Sequence, residues 1–234
     1  MKRFFREARA AEAGRVFRIE LDGRPVRTPA KHALEVPCAA LAGAIASEWQ
    51  SQGDEIDPKS MPLTQLANSA VDRVRPARET VIAEVAGYGG TDLLCYRVEN
   101  PADLRERQDR AWQPLLDRFA AEMEINLSIT RSLTPVEQPQ ESLRRLLAAV
   151  AACDDFRLAG LLSATATTGS VVLGFGLAKA WIDADEAWEL AFLDELYQES
   201  IWGEDREAAE RREHIRHTIG DAVRFLTLSA GQAA

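Results

Sequence analysis

This 234-residue sequence contains few cysteines and has no excess of positive charge. Only three cysteines are present, Cys38, Cys95 and Cys153, and none has a Cys-x-x-Cys partner. That usage predicts neither a zinc knuckle nor a disulfide framework, and it fits a reducing compartment. The formal net charge is −9 and the isoelectric point is about 5.0. Because nucleic acids and anionic membranes bind basic surfaces, neither is an expected partner.

Apolar runs of membrane-spanning length are missing as well. The uncharged segment 161–178 is shorter than the roughly 20 apolar residues that a spanning helix requires, and threonines and serines dilute it. We interpret it as two buried helices that break near Thr168-Gly169-Ser170. The first residues show neither the apolar core of a signal peptide nor the Ser- and Arg-rich composition of a transit peptide. We therefore expect no membrane insertion.

Nucleotide-binding motifs are the third absence. No GxxxxGK[ST] phosphate loop occurs in the sequence. Gly174-Phe175-Gly176 lacks the third glycine, the preceding strand and the later acidic residue of a dinucleotide-binding fold. The sequence therefore predicts no cofactor.

Two groups of side chains have a spacing that is compatible with chemistry. Glu210, His214 and His217 stand at i, i+4 and i+7 of the last predicted helix, which would present a carboxylate and two imidazoles to a metal. Cys95 together with His32, His214 or His217 would form a nucleophile pair. The dense charges around the histidines favour a solvated face, and the apolar run around Cys95 favours a buried, inert thiol. We expect neither a metal site nor catalytic residues.

Apolar periodicity predicts an α+β fold. Alternation over 15–21 followed by Asp22-Gly23 predicts a β-hairpin, and 24–29 and 32–37 supply further short strands. The apolar run 91–98 also has the length of a strand. Helices are predicted over 39–52, 61–74, 76–88, after Pro101, and from Pro139 almost to the end. The pattern predicts a small β-rich N-terminal domain with helices over residues 1–85 and a larger, mostly α-helical domain over 86–234.

Two features of the predicted N-terminal domain have both a structural and a partner-binding interpretation. Trp49 lies on the apolar face of the helix over 39–52, so we expect it mainly to anchor the core. Met61, Pro62 and Leu63 begin the next helix, either as a packed helix start or as an exposed docking edge.

A carboxylate stands among aromatic residues in the segment FLDELYQESIWGED, residues 192–205. On one helix that opens with an Asp183–Glu186 capping box and ends at Gly203, Glu195 lies on a stripe between Trp188 and Trp202. A second apolar stripe lies nearly opposite: Leu190, Leu193, Tyr197 and Ile201. A carboxylate in that setting is costly unless something pairs with it. The counter-charge comes either from this chain or from another protein.

Six segments occur in a characteristic order and spacing. They are LDGRPVRTP (21–29), LAGAIASEWQSQ (41–52), MPLTQLANSAVDR (61–73), YGGTDLLCYR (88–97), QDRAWQPLLD (108–117) and DELYQESIWGED (194–205). As a set they resemble the assembly chaperones of the F-type ATP synthase α subunit, the family known in mitochondria as ATP synthase assembly factor 2. The resemblance covers nearly the whole chain.

The resemblance implies a role without catalysis. Members of that family bind the free α subunit and cover the surface that later faces the β subunit until the α/β hexamer forms. It implies a partner-binding motif at Asp194, Glu195, Gln198, Trp202 and Gly203. Its fold, a β-rich N-terminal domain before a helical one, agrees with the periodicity.

The resemblance also carries an expectation about compartment. Mitochondrial members work in the matrix and carry a transit peptide, whose composition the first residues here do not show. We therefore expect a bacterial member in the cytoplasm that is monomeric when free. The alternative is a small hydrolase that uses Glu195 or the Glu210/His214/His217 group. Capture of an α subunit favours the chaperone, whereas bound metal or turnover of small substrates favours the enzyme.

Overall fold

The computed structural model describes residues 1–132 and 134–230, which form a small antiparallel sheet and a mostly helical remainder. The strands are β1 Ala8–Ala13, β2 Val16–Leu21, β3 Arg24–Pro25 and β4 Glu35–Val36. The helices are α1 Ala39–Gln50, α2 Pro62–Ser69, α3 Arg78–Gly87, α4 Ala102–Met123, α5 Gln140–Ala151, α6 Asp155–Thr168, α7 Val171–Ala178, α8 Ala184–Ala191, α9 Leu193–Trp202 and α10 Arg206–Ser229. The predicted α+β fold class is confirmed.

The strand β2 is the centre of the sheet. It pairs with β1 along one edge, and its other edge pairs with β3 near Leu21 and with β4 near Phe17. The loop between β2 and β3 consists of Asp22 and Gly23, with φ of 48° and 77°. Positive φ at both loop residues is the geometry whose twist matches a two-residue hairpin, so the predicted hairpin is confirmed.

The strand β1 was not expected from the sequence. It pairs with β2 along its whole length, from Ala8 opposite Leu21 to Ala13 opposite Val16. Its sequence, ARAAEA, lacks the β-branched and aromatic residues that mark most strands. Pairing with β2 and packing against α1 hold the segment extended in spite of its weak local preference.

The described residues group into two compact units. The first contains Met1–Arg78, Cys153–Gly160 and the end of α10 from Arg224, and the second contains Glu79–Ala152 and Leu161–Val223. The helices α6 and α10 contribute residues to both units. The boundary predicted between residues 85 and 86 stays a prediction, because compactness does not test independent folding.

Each unit has its own buried apolar side chains. Those of the first unit include Ile19, Leu34, Leu41, Ile45 and Leu63. In the second unit the predicted face of α4 is buried along its whole length: Leu104, Gln108, Trp112, Leu115 and Phe119. The break near Thr168-Gly169-Ser170 is also confirmed, because α6 ends at Thr168 and the Ser170 side chain accepts a hydrogen bond from Leu173 N at the start of α7.

The prediction of a strand over 91–98 is wrong. The segment instead forms a 3₁₀ turn at Leu93–Cys95 and makes only an isolated bridge between Tyr96 and Thr130. The physical reason is Asp92, whose carboxylate accepts a hydrogen bond from Leu94 N at 3.1 Å and so closes a turn. The apolar run reflects burial, which a turn and a strand share.

The single helix predicted from Asp183 to Gly203 is two helices. The capping box is confirmed, since the Asp183 side chain accepts a hydrogen bond from Glu186 N and Asp183 N donates one to Glu186 Oε2, both at 2.9 Å. The chain breaks at Phe192, which ends α8 before α9 begins. Gly203 ends α9 as predicted, with φ of 89°. Within the described ranges, no helix is long and apolar enough to cross a bilayer.

Candidate functional site

The C-terminal end of α9 exposes two large apolar side chains next to each other. Trp202 is 78% exposed and Ile201 is 52% exposed. Gln198 and Gly203 are exposed beside them. We name this surface, formed by Gln198, Ile201, Trp202 and Gly203, the α9 tip. Three of its four residues belong to the motif that the resemblance implied.

The expected position of Glu195 between two tryptophans is wrong. Because the chain breaks at Phe192, Trp188 belongs to a different helix, and Trp202 points away from the core at the helix end. Trp188 instead lies under the guanidinium of Arg216, at 5.4 Å, and donates its Nε1–H to the backbone oxygen of Arg212 at 3.0 Å.

The counter-charge of Glu195 comes from this chain. Its Oε2 lies 3.5 Å from Arg211 Nη2 and 3.8 Å from Arg212 Nη1. The Glu195 side chain is 42% exposed, whereas that of Arg212 is 7% exposed. Arg212 also pairs with Glu199. Two carboxylates on α9 therefore compensate the buried guanidinium of α10, and Glu195 keeps one side in water.

Arg212 is a residue that the sequence analysis missed. It lies in EAAERREHIRH, where charged residues are so dense that no single one stands out. A usable signal is the spacing of Glu195 and Glu199, one turn apart on α9, because like charges at that spacing destabilise a helix unless a cation lies near them.

Asp194 faces the interior of the second unit. Its Oδ1 accepts a hydrogen bond from Gln108 Nε2 at 2.7 Å, and the buried Gln108 accepts one from Val98 N at 2.8 Å. Burial raises the pKa of Asp194 above its usual value, and the Gln108 hydrogen bond opposes that rise. Of the five residues in the motif, Asp194 is thus the one that joins α9 to α4.

The second group of candidates lies within the first unit. Trp49 is half-buried, and its ring meets Phe5 edge-to-face with centroids 5.9 Å apart. Met61 and Leu63 are buried, and Pro62 is half-buried. This placement supports the packed-helix interpretation of the segment.

Glu48 is a buried carboxylate that the sequence analysis overlooked. Its two oxygens accept hydrogen bonds from Leu63 N and Thr64 N, each at 2.8 Å, and from the Thr64 hydroxyl at 2.8 Å. It therefore binds the first turn of α2, where free N–H groups and the helix dipole favour a negative charge. The sequence does indicate that Glu48 is buried, because Glu48 continues the buried stripe of Leu41 and Ile45 at helical spacing.

The side chains considered for catalysis are dispersed. Glu210 is exposed and pairs with Arg206 at 2.8 Å, and His217 lies 3.4 Å from Glu213. In the part of the chain that the structure describes, no three His, Cys, Asp or Glu side chains gather as metal ligands. Burial, followed by the nearby Asp92 charge, raises the pKa of Cys95 to about 12, so its thiol stays protonated at neutral pH.

A family model described as ATP12 chaperone protein matches residues 2–120, just over half of the chain. The chain belongs to the ATP12 chaperone family. This confirms the resemblance inferred from the six segments and groups the chain with chaperones of ATP synthase assembly.

Solved structures extend the ATP12 likeness to nearly the whole chain. Two structures of Atp12 from Paracoccus denitrificans, one of them a mutant, match with a TM-score of 0.94 and 39% identity, covering 97% of this chain and 97% and 98% of theirs. Atu1473 from Agrobacterium tumefaciens matches with a TM-score of 0.92 and 34% identity over 98% of this chain and 86% of that one. Protein atp12, mitochondrial, from Schizosaccharomyces pombe is 26% identical over an alignment of 204 residues that covers 82% of this chain and 70% of that protein.

Proposed function

We propose that this protein binds the unassembled α subunit of the F-type ATP synthase, shields the surface that later faces the β subunit, and prevents aggregation until the α/β hexamer forms. Membership of the ATP12 family supports the chaperone role. An unassembled subunit exposes apolar surface that drives aggregation, so its chaperone needs an apolar surface of its own.

The observation that carries this proposal is the exposure of Trp202 and Ile201 at the α9 tip. Folding normally removes such side chains from water, and adjacent exposed ones mark interaction surfaces. Tryptophan is also the residue type most often found at the energetic centre of protein interfaces. We propose that Trp202 is the anchor of the α-subunit interface.

The charges around the tip support a partner with a basic rim. Glu204 and Asp205 are exposed immediately after Gly203. Glu195 is partly exposed about one turn before Gln198 and two turns before Trp202. Acidic groups around an apolar anchor favour lysine and arginine on the partner and set the orientation of binding. This role requires no metal, cofactor or catalysis, and we place it in the bacterial cytoplasm with a monomeric free protein.

The proposal is tested by capture of purified α subunit and by suppression of its aggregation. Trp202→Ala should weaken capture by about tenfold or more, as expected for an interface anchor. Because Trp202 is exposed, the same change should alter the free energy of unfolding by no more than about 0.5 kcal/mol.

Leu147→Ala is the matched control, since Leu147 on α5 is also a large exposed side chain at 45%. It should leave capture unchanged. Failure of the wild-type protein to capture the α subunit would contradict the proposal, as would equal losses for Trp202→Ala and Leu147→Ala.

A further inference from the structure

An open groove with a volume of about 720 Å³ runs along α4 in the second unit. Its apolar lining includes Ala111 and Pro114 of α4, Leu190 of α8, and Leu193 and Leu196 of α9. We name it the α4 groove. Three residues of the second apolar stripe noted in the sequence, Leu190, Leu193 and Tyr197, line it. The stripe opposite Glu195 is therefore left partly uncovered within its own unit.

Arginines form one rim of the groove. Arg107, Arg110 and Arg118 line it from α4, at relative positions i, i+3 and i+11 of one helix face. At 1.5 Å per residue, the distance from Arg107 to Arg118 is about 16 Å, or roughly three helical turns. The groove thus has the length of a short helix.

Two of these guanidinium groups lie over aromatic rings at cation–π distance. Arg107 lies 5.1 Å from the ring centroid of Tyr197, and Arg118 lies 5.1 Å from that of Trp181. A cation–π contact holds a guanidinium beside a ring while its N–H groups can still bind a carboxylate. Arg118 binds Glu122 of this chain, so Arg107 is the one of the two that remains available. The rim is therefore preorganised for anionic groups.

Arg107 and Arg110 are left without a neutralising ion pair. Among the described residues, neither makes a salt bridge within 4.0 Å, whereas Arg118 pairs with Glu122 at 2.7 Å. Asp103, one turn before Arg107, accepts the hydroxyl hydrogen bond of Tyr197 at 2.8 Å, and the charge of Arg107 contributes to lowering the pKa of Asp103 without a direct ion pair. The two exposed arginines therefore make the α4 side of the groove basic, although the net charge of the chain is −9.

The opposite rim carries the other sign of charge. Glu186 and Glu189 of α8 line it, and Glu186 also accepts the hydrogen bond from Asp183 N in the capping box. An occupant is therefore favoured when its acidic side faces α4 and its basic or neutral side faces α8. This polarity disfavours a lipid, which offers one anionic headgroup and no second face.

We propose that the α4 groove binds an acidic amphipathic helix of a protein partner, about three turns long. Its apolar side chains would contact Leu193 and Leu196, and its carboxylates would pair with Arg107 and Arg110. The groove shares no lining residue with the α9 tip, so this inference goes beyond the proposed function and does not depend on it.

A synthetic peptide tests the inference with the full-length protein. The probe is a labelled peptide of about 14 residues with leucines at helical spacing, glutamates along one flank and lysines along the other. Fluorescence anisotropy measures binding, and a change in the protein's tryptophan emission is a second readout, since two of the five tryptophans, Trp181 and Trp188, line the groove. Arg107→Glu combined with Arg110→Glu should weaken binding by about 30-fold or more.

The control is Arg15→Glu combined with Arg144→Glu, which changes the net charge equally at exposed arginines outside the groove. It should bind the peptide as the wild type does. Ala111→Phe keeps every rim charge and fills the lining, so it should also reduce binding. A peptide with lysines in place of all the glutamates should not bind the wild type.

Three results would overturn the inference. One is no binding of the acidic peptide by the wild type at about 1 mM. Another is a lack of charge dependence, seen as equal affinity for the acidic and the all-lysine peptides or for the wild type and the Arg107→Glu/Arg110→Glu protein. The third is binding of phosphatidylglycerol vesicles, but not of the peptide, with loss on Arg107→Glu/Arg110→Glu, which would identify a lipid surface. Thermal melts of each variant confirm that a loss of binding is not a loss of folding.

Discussion

Two helical glutamates, Glu48 of α1 and Glu195 of α9, have different surroundings. Glu48 is buried and accepts three hydrogen bonds at the start of α2. Glu195 is partly in water, with its nearest guanidinium nitrogens at 3.5 and 3.8 Å. Removing the charge of Glu48 leaves backbone donors with a weaker acceptor, whereas removing that of Glu195 changes an ion pair that water already screens.

Replacing each glutamate by glutamine should therefore affect stability differently at the two positions. Glu195→Gln should change the free energy of unfolding by less than about 1 kcal/mol, as exposed ion pairs do. Glu48→Gln should destabilise by about 2–4 kcal/mol, because a buried charged acceptor is lost. Urea denaturation measures both. In the α-subunit capture assay, Glu195→Gln should weaken binding, and Glu195→Lys should weaken it further because its charge is reversed.

Two results would contradict the predictions for Glu195. If Glu195→Gln unfolds the protein, the arginines of α10 depend on it for folding. If both Glu195 variants capture the α subunit as the wild type does, Glu195 is no part of the interface.

Trp49 and Trp202 offer a similar contrast between folding and binding. Trp49 packs on Phe5, and its Nε1–H is buried without a hydrogen-bond acceptor among the described residues. Trp49→Ala should destabilise by about 2–4 kcal/mol, somewhat less than for a fully buried tryptophan. Trp49→Phe keeps an aromatic ring and removes the unpaired donor, so it should cost clearly less.

Denaturant midpoints of the two Trp49 variants and of Trp202→Ala provide the measurement. A Trp49→Ala protein that melts like the wild type but loses the α subunit would make Trp49 an interface residue instead.

At the scale of elements, the turn at Leu93–Cys95 and the start of α7 are joined by one carboxyl group. Asp92 accepts hydrogen bonds from the Ser170 hydroxyl at 2.8 Å and from Val172 N at 3.1 Å, besides the one from Leu94 N. Burial raises its pKa to about 6, although these hydrogen bonds act in the opposite direction. The group is therefore a buried acid that titrates near neutral pH.

Asp92 should make stability depend on pH in an unusual direction. A carboxyl group whose pKa is higher in the folded state binds its proton more tightly there, so protonation stabilises the fold. Between a folded value of about 6 and the ordinary 3.8, the difference amounts to about 3 kcal/mol. The wild type should therefore gain stability relative to Asp92→Asn as the pH falls from 7 to about 4, because asparagine does not titrate.

Unfolding free energies of the two proteins across that pH range give the test. Subtracting Asp92→Asn cancels the shared carboxylates, such as Asp109, whose pKa the guanidinium of Arg97 lowers. The prediction is contradicted if the difference in unfolding free energy between the two proteins does not change with pH, or if the wild type loses relative stability as the pH falls. Either result would show that the hydrogen bonds affect the pKa of Asp92 at least as much as burial does.

The elements also show which parts of this fold a sequence can predict. The buried face of α4 and the break before α7 were predicted because helical periodicity and local capping depend on residues that are close in sequence. The strand β1 was not, because its extended form depends on β2, and ARAAEA alone has no strand preference. The break at Phe192 was missed because both flanking segments are helical, and it displaced the expected stripe around Glu195.

At the scale of the molecule, the candidate surfaces differ in how far the sequence revealed them. Resemblance to the ATP12 family indicated Gln198, Trp202 and Gly203, and the structure places all three at an exposed helix end. The α4 groove combines residues of α4, α8 and α9, whose proximity no local pattern records. Both surfaces pair apolar side chains with charge, acidic at the α9 tip and basic along α4.

The proposed shielding of the α subunit makes the chaperone and the β subunit mutually exclusive ligands. When two proteins compete for one face of the α subunit, each lowers the apparent affinity of the other by mass action. With free β subunit at about 100 times its own dissociation constant, the apparent affinity of the chaperone for the α subunit should fall about 100-fold. Size-exclusion chromatography of the preformed complex, titrated with β subunit or with serum albumin as the inert control, measures this displacement. Co-elution of all three proteins, or capture of the assembled α/β hexamer as readily as of free α subunit, would mean that the chaperone covers a face that assembly leaves open.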